Sequence, residues 1–464
     1  MEDQLEQVDA IIEEFGGSVE FVVAQTRDDA LDQIGDTHYD VAVCDLKIPA
    51  TTGTAPEIQH GLAVLTAIRD RCPGTPIIAF TANRTPEVME IFLKEQRQED
   101  YLGTLGERQM LSAIEKDELP EFLDLLHELQ GEVATLEQIQ IVPSLGQHPP
   151  DGRSQRVLRL YARQRGCTIA RLKPLTAGQS GVTVLRVEME KADGSAGGSV
   201  IARLAPVAAI IEERRRYQQR VSGFLPLGSY AEIVGHVRAG ATNMGGVFYQ
   251  LAENYRPLFA LLPDEDEKAA AAVRRLHEVQ APWREGAPAI DMLVADIRRE
   301  LIDDGRWCAS FGRCGLDADR VQAIESITVP VRRATTHADL HGENVLVDVK
   351  PVIIDFLKVD EGPTPLDPVS LELCVLFHPH APSWSGPWPS TGQLENWADF
   401  NAYAAGCPFP KFLESCREWA MAVARGNLDL HACRYAYVAS QARFETSSRE
   451  RLTALMADLP ERLS

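Results

Sequence analysis

The stretch His337–Phe356, HADLHGENVLVDVKPVIIDF, constrains this chain more than any other. It sets Asp339, then Asn344 five residues later, then Asp355 eleven residues beyond that. Two short apolar runs, Val345–Val347 and Val352–Ile354, lie between the last two and predict a hairpin. The hairpin brings Asn344, which leads into one strand, close to Asp355, which leaves the other. Phosphoryl transfer needs such a set. One carboxylate, Asp339, orients a hydroxyl and accepts its proton. A carbonyl oxygen, from Asn344, and a second carboxylate, Asp355, hold magnesium on nucleotide phosphates.

At 464 residues the chain is too long for one ordinary core, so two or three domains are expected. Apolar residues make up 45% and charged residues 25%, as in globular proteins. No apolar run is long enough for a membrane helix. The opening MEDQLEQVDA is acidic and helix-like, unlike a secretory signal. The nine cysteines are scattered and form no C-x-x-C pair, which argues against a disulfide framework or a zinc site and fits a reducing cytoplasm. The net charge is -22, and residues 1–125 hold 26 acidic and 9 basic side chains, or -17 of it. That asymmetry marks a separate N-terminal unit and speaks against nucleic-acid binding.

Along residues 1–130 helical and strand patterns alternate. Leu5, Val8, Ile11, Ile12 and Phe15 share a helical face. Glu20–Ala24 reads as a strand, Asp28–Ile34 as a helix, and Val41–Cys44 as a buried parallel strand ending at Asp45. Ile77–Phe80 reads as a second buried strand, followed by a helix near Pro86–Glu95 and a short strand at Tyr101-Leu102. Leu111–Ile114 and Phe122–Leu129 read as helical. This predicts an open parallel sheet covered by helices. Residues 131–153 contain VPSLGQHPPDG and read as a linker. Residues 154–253 predict an antiparallel sheet with one helix, Ala209–Val221. Residues 254–464 predict a mainly helical region, with helices at EKAAAAVRRLHEV, at Ile290–Ile302 and after Gln393.

The His337–Phe356 segment resembles the catalytic loop of the aminoglycoside phosphotransferase and choline kinase group, H-G-D-x-x-x-x-N followed by I-D-F/W. Ala338 stands in the glycine position. Gly362–Glu372, GPTPLDPVSLE, is similar to the group's following helix start, and by that analogy Asp367 braces the loop that begins at His337. The resemblance implies a bilobal α+β kinase-like fold using ATP and Mg2+. Leu175–Met189 resembles the glycine-rich turn over the phosphates, with Gly178 and Gly181 letting the backbone approach and Ser180 donating a hydrogen bond. The following strand offers Arg203 where the group carries lysine, and the next helix offers Glu213 as its ion partner. Lys173 is a weaker substitute, and Tyr249–Ala252 falls where the hinge is expected. The motif order also looks like that of the ternary complex-associated domains of bacterial signalling and conflict systems. His378–Trp397, with three tryptophans, reads either as an acceptor or partner surface or as a core cap. Its His378 and His380 are weak metal candidates.

Residues 1–130 resemble a response-regulator receiver, a flavodoxin-like α/β domain. The match lies in Tyr39–Pro49 and Gly61–Ala82, making Asp45 the candidate phosphoacceptor and Thr81 the hydroxyl that contacts the phosphate. The family's first strand and its acidic pair have no counterpart. The chain opens at the first helix, so either the start is clipped or the domain is a degenerate interaction module. The family's lysine is expected near Asp100–Leu105, where Thr104 stands instead.

The expected function is therefore phosphoryl transfer to a hydroxyl, with the acceptor open between a small molecule and a protein. A histidine kinase or signalling complex is the expected partner of residues 1–130. Neither nucleic acid nor membrane is expected as a partner. The alternative is a pseudokinase and pseudo-receiver adaptor.

Overall fold

The structure, a computed structural model, describes residues 2–35, 37–82, 97–174, 183–251 and 254–463. The chain divides into two compact units: residues 1–212 with 233–251, and residues 213–232 with 252–464.

In the first unit, three parallel strands run side by side in the order Ala42–Cys44, Ile77–Thr81, Leu111–Glu115. The middle strand is buried at every position, because helices cover both of its faces. Alternate residues go to opposite sides. Ile77 and Ala79 pack with Val64, Leu65 and Ile68 of the helix Ile58–Arg71. Ile78 and Phe80 pack with Phe122, Leu126 and Leu129 of the helix Leu119–Glu137, where the Phe80 and Phe122 rings stack at 4.4 Å. The helix can lie this close to the strand exit because residue 61 is glycine: a Cβ there would meet the Leu46 carbonyl oxygen at 2.2 Å.

Three expectations fail here. Residues 20–24 form no strand. In a receiver's 2-1-3-4-5 order the second strand pairs only with the first, and none of the described residues forms that first strand. Val22 and Val23 are accordingly exposed. Leu111–Glu115 is a strand and not a helix, since it completes the hydrogen bonds of Ile77–Thr81. The short strand expected at Tyr101-Leu102 is instead Gln98–Glu99, paired with Arg108–Gln109. The helix expected near Pro86–Glu95 lies outside the described residues. Residues 131–153, read as a linker, carry the end of the helix Leu119–Glu137 and a strand, Gln140–Val142.

That strand joins a six-stranded sheet in the same unit. Its order is Ile233–Val237, Met244–Gln250, Ala196–Pro206, Thr183–Glu190, Ile169–Pro174, Gln140–Val142, and all neighbours are antiparallel except the last pair. The helix Gly152–Gln164 covers it, capped by Asp151, whose side chain accepts from the amides of Arg153 and Ser154. Tyr161 of this helix stacks on Phe248 of the sheet with centroids 3.5 Å apart.

The receiver-like part and this sheet are joined within the unit. The Gly74 amide donates to the Thr242 carbonyl at 2.6 Å, and the Gly240 amide to the Gly74 carbonyl at 2.7 Å. A His38 ring nitrogen lies 2.8 Å from the Thr242 hydroxyl. The buried Arg156 guanidinium bridges Asp40 at 2.6 Å and Glu137 at 3.0 Å, and reaches the Gly240 carbonyl. Burial raises the Asp40 carboxyl, but the His38 hydrogen bond and the Arg156 charge outweigh it and hold Asp40 below the usual carboxylate range.

The second unit is mainly helical. Asp266–Val279 packs on Pro410–Val423, and Asn427–Ala442 packs on Leu366–Leu373. The hairpin Val345–Val347 with Pro351–Ile353 is extended by Arg256–Pro257. A second small sheet holds Ala289–Leu293, Thr328–Thr336 and Asp360–Pro363 in that order. The helix expected over Ile290–Ile302 is thus split into a strand and the helix Val294–Arg299. The helix expected over Ala209–Val221 is α-helical over Val207–Arg216 and winds as a π-helix over Tyr217–Val221. Among the described residues no helix is long and apolar enough to cross a membrane.

Gly240 sits at φ 85°, and an added Cβ would meet the Tyr101 carbonyl oxygen at 2.3 Å. Gly240→Ala should therefore destabilise the first unit by about 1–3 kcal/mol, read as a lower denaturant midpoint with far-UV dichroism retained.

Candidate functional site

The second unit gathers the His337–Phe356 residues into one loop and hairpin. Thr328–Thr336 delivers His337 and Ala338, whose backbone amides both donate to the buried Asp367 carboxylate, at 2.8 Å and 3.0 Å. Burial raises the Asp367 carboxyl, while His337 and the two amide hydrogen bonds pull against it. Ala338 lies at φ 58°, a left-handed conformation that costs an ordinary side chain energy. The His337 ring bonds the Ile354 carbonyl at 2.9 Å and is itself fully buried.

The hairpin register follows from the same contacts. Val345 faces Ile353, and the Ile354 amide donates to the Asn344 carbonyl at 3.0 Å, so Asn344 and Asp355 flank one end of the hairpin. Asp355 turns away at φ 61°, a region that aspartate tolerates better than most residues. The Asn344 side-chain amide donates to the Asp339 carbonyl at 2.9 Å. That bond assigns the amide orientation and leaves Oδ1 as an acceptor. An oxygen pair of this kind, one amide carbonyl and one carboxylate, suits magnesium.

The aromatic ring of Phe356 anchors the hairpin end. It lies edge-on to Tyr217 at 5.8 Å and to Tyr230 at 6.5 Å, and is tilted against His337 at 5.5 Å. The Arg216 guanidinium adds a bond to the Leu357 carbonyl at 3.1 Å.

Asp339 is partly exposed and pairs with Lys358 at 2.9 Å. Sequence reasoning missed Lys358, although it follows Asp355 by only three residues on the same turn. Burial raises the Asp339 carboxyl, and the Lys358 charge overcomes it, holding Asp339 below the usual range. His341 contributes little at neutral pH, because burial drops its own pKa to about 3. His341 packs on His378 at 4.3 Å, and His378 in turn packs on Phe259.

The remaining expected residues are on other elements of the chain. Arg203 is buried in the strand Ala196–Pro206 of the first unit, between Val184 and Val247. Glu213 is fully buried in the helix Val207–Arg216 and belongs to the second unit. Gly178, Ser180, Gly181 and Ala252 lie outside the described residues. Lys173, the weaker substitute, pairs with Glu188 at 2.8 Å as an exposed surface lysine does. Trp388 and Trp397 are buried, and Trp397 donates to Glu372 at 2.7 Å beneath the Arg417 guanidinium, so these rings cap a core. Among the described residues no group of three acidic, histidine or cysteine side chains forms a metal cluster, His378 and His380 included.

In the receiver-like part, Asp45 follows Ala42–Cys44, Thr81 ends the neighbouring strand, and Lys116 follows the third strand, all at the same sheet edge. The Lys116 ammonium lies 2.7 Å from Asp45. The lysine sought near Thr104 is thus present at residue 116. It was missed because Leu111–Ile114 was read as helix, which hid the strand end that carries it. Thr81 is fully buried.

Comparison with known families agrees with this geometry. Residues 1–114 match the response regulator receiver domain, and residues 251–371 match the phosphotransferase enzyme family. This chain joins a receiver domain to a kinase-like phosphotransferase domain. No curated protein matches it. Among solved structures, an aminoglycoside phosphotransferase from Streptomyces rimosus ATCC10970 is 16% identical, over 65% of this chain and 97% of its own, at a TM-score of 0.34. An aminoglycoside-3'-phosphotransferase of type VIII is 18% identical, over 58% of this chain and 100% of its own, also at 0.34. Choline kinase from Cryptosporidium parvum Iowa II is 11% identical, over 62% and 88%, at 0.32. Likenesses of this degree decide nothing about the reaction.

Because Ala338 sits in the left-handed region, Ala338→Gly should raise stability by about 1 kcal/mol, read as a higher unfolding midpoint. Removing the brace has the opposite sign. Asp367→Ala leaves two buried amides unpaired and should cost about 2–4 kcal/mol, measured by denaturant unfolding.

Proposed function

We propose that this chain is an ATP- and magnesium-dependent phosphotransferase that moves a phosphoryl group to a hydroxyl acceptor. The observation that carries this reading is the single braced loop and hairpin end that hold Asp339, Asn344 and Asp355 close in the chain's fold, with the Asn344 amide nitrogen engaged by the Asp339 carbonyl. Asn344 and Asp355 would hold the metal. When bound, magnesium neutralises charge on the transferring phosphates. Asp339, kept ionised beside Lys358, orients the acceptor hydroxyl and takes its proton. His337 and Asp367 position the loop. Arg203 and Glu213, with Gly178, Ser180 and Gly181, are assigned to the nucleotide phosphates, residues 154–253 and 254–464 being the two lobes. Residues 1–130 are assigned to a signalling partner such as a histidine kinase, through Asp45, Thr81 and Lys116.

Binding of magnesium-ATP, measured by calorimetry, should weaken about tenfold or more in Asp355→Ala. Asp339→Asn should keep that binding and lose on the order of 10²–10⁴ in turnover. A folded wild type that binds no magnesium-ATP refutes the reading. A second reading, a catalytically impaired adaptor, is favoured by Arg203 in the lysine position. Turnover that vanishes in Asp339→Asn excludes it.

The Asp339–Lys358 pair also fixes the sign of a pH effect. Lys358 lowers the Asp339 pKa, so Lys358→Met raises it. The acid limb of the kcat/KM profile should then move to higher pH. An unmoved limb would show that Asp339 is not the group titrating there.

A further inference from the structure

Among the described residues, Thr242 is the only β-branched one with a positive φ, at 59°. Its two Cβ substituents crowd the backbone there, so a threonine leaves that conformation unless its surroundings hold it. The receiver-like part does the holding. Thr242 is fully buried. Its hydroxyl lies 2.8 Å from a His38 ring nitrogen, and its carbonyl accepts from the Gly74 amide at 2.6 Å. Two residues earlier, the Gly240 amide donates to the Gly74 carbonyl at 2.7 Å. The other His38 ring nitrogen lies 3.3 Å from Asp40, which the buried Arg156 guanidinium holds at 2.6 Å. His38 and Gly74 precede the strands Ala42–Cys44 and Ile77–Thr81, whereas Asp45 and Thr81 stand at the opposite ends of those strands. The grip on Thr242 therefore does not involve the candidate phosphoacceptor.

The next residue passes this position on to the helix Val207–Arg216. The Asn243 carbonyl accepts from the Val207 amide at 2.8 Å. Val207 opens the helix, so its amide is one that the helix itself cannot pair. The Asn243 side chain is fixed in turn, its Oδ1 accepting from Arg153 at 3.0 Å. Beyond it, Gly245 leaves no room between strand and helix: a Cβ there would lie 3.3 Å from the Ile210 side chain and 3.5 Å from that of Val207. The first helical turn is thus seated on residues 243 and 245. A change in the Thr242 backbone moves the carbonyl that receives the Val207 amide. That helix carries Glu213, and its last residue, Arg216, bonds the Leu357 carbonyl two residues beyond Asp355.

We propose that Thr242 is a positioning residue for the phosphotransferase site, held in its strained conformation by His38 and Gly74, so that the receiver-like part is a structural member of that site whatever the state of Asp45. The inference rests on the phosphotransferase reading above. The role of Thr242 is indirect, through Asn243 and the amino end of the helix that carries Glu213. Strain persists here because segments far apart in sequence over-determine one turn.

The test uses the full-length chain and two readouts: magnesium-ATP affinity by calorimetry, and hydrogen exchange across residues 207–211 by mass spectrometry. His38→Ala frees the threonine to relax. It should speed exchange at the Val207 amide about tenfold and weaken magnesium-ATP binding about threefold or more. Thr242→Val removes the hydroxyl and keeps the volume. It should do the same, and it serves in place of His38→Ala if that variant fails to fold. Glycine adopts positive φ without strain. Adding Thr242→Gly to His38→Ala should therefore return both readouts to wild-type values, a rescue that a merely structural loss at His38 would not show. Wild-type values in both His38→Ala and Thr242→Val overturn the proposal. So does a change in one readout alone, or a double variant that keeps its far-UV dichroism while the losses persist. A wild type that binds no magnesium-ATP is a separate result. It sinks the phosphotransferase reading and this role with it, whereas unchanged variants of a nucleotide-binding wild type sink this role alone.

Discussion

The geometry of the catalytic-type loop depends on one buried carboxylate. Asp367 accepts from two consecutive amides, those of His337 and Ala338, at a point where the chain is forced into a left-handed turn. Neither feature would persist alone. A buried carboxylate without donors carries a heavy desolvation penalty, and an alanine at positive φ relaxes unless held. Together they fix the direction in which Asp339 leaves the turn. From there the order is passed on: Asn344 is set by the Asp339 carbonyl, Ile354 by the Asn344 carbonyl, and Asp355 follows Ile354. Each member of the loop takes its position from a hydrogen bond to the one before.

The receiver domain shows a comparable economy at a different edge. Three parallel strands end together, and the residues at their ends, Asp45, Thr81 and Lys116, lie at one edge without any loop of unusual length. The Lys116–Asp45 pair holds an ammonium against the aspartate.

Much of this was legible in the sequence, and the failures have physical causes. The His337–Phe356 spacing implied the hairpin, and the hairpin is there, because apolar runs broken by a polar turn leave few alternatives. Asp367 was recognised from Gly362–Glu372. Lys358 was missed because an ion pair across a loop has no periodic signature. Lys116 was missed for a different reason. Leu111–Glu115 is short and mixed in character, and only its neighbour Ile77–Thr81 makes it a strand. The same lack of local information hid the strand Ala289–Leu293, which exists through pairing with Thr328–Thr336. The tryptophans of His378–Trp397 were open between surface and core, and burial at Trp388 and Trp397 favours the core.

The first unit is discontinuous in sequence, and this matters while the chain is being made. Residues 233–251 belong to it, yet residues 213–232 do not. His38 finds Thr242 only across 204 positions, and Gly74 waits for Gly240 and Thr242 as well. The strand Met244–Gln250, which sits inside the six-stranded sheet, is also among the last of its members to leave the ribosome. At roughly 5–20 residues per second of synthesis, the receiver domain spends many seconds with its docking surface bare. In that interval Gly74 and His38 lack the partners that Gly240 and Thr242 later supply.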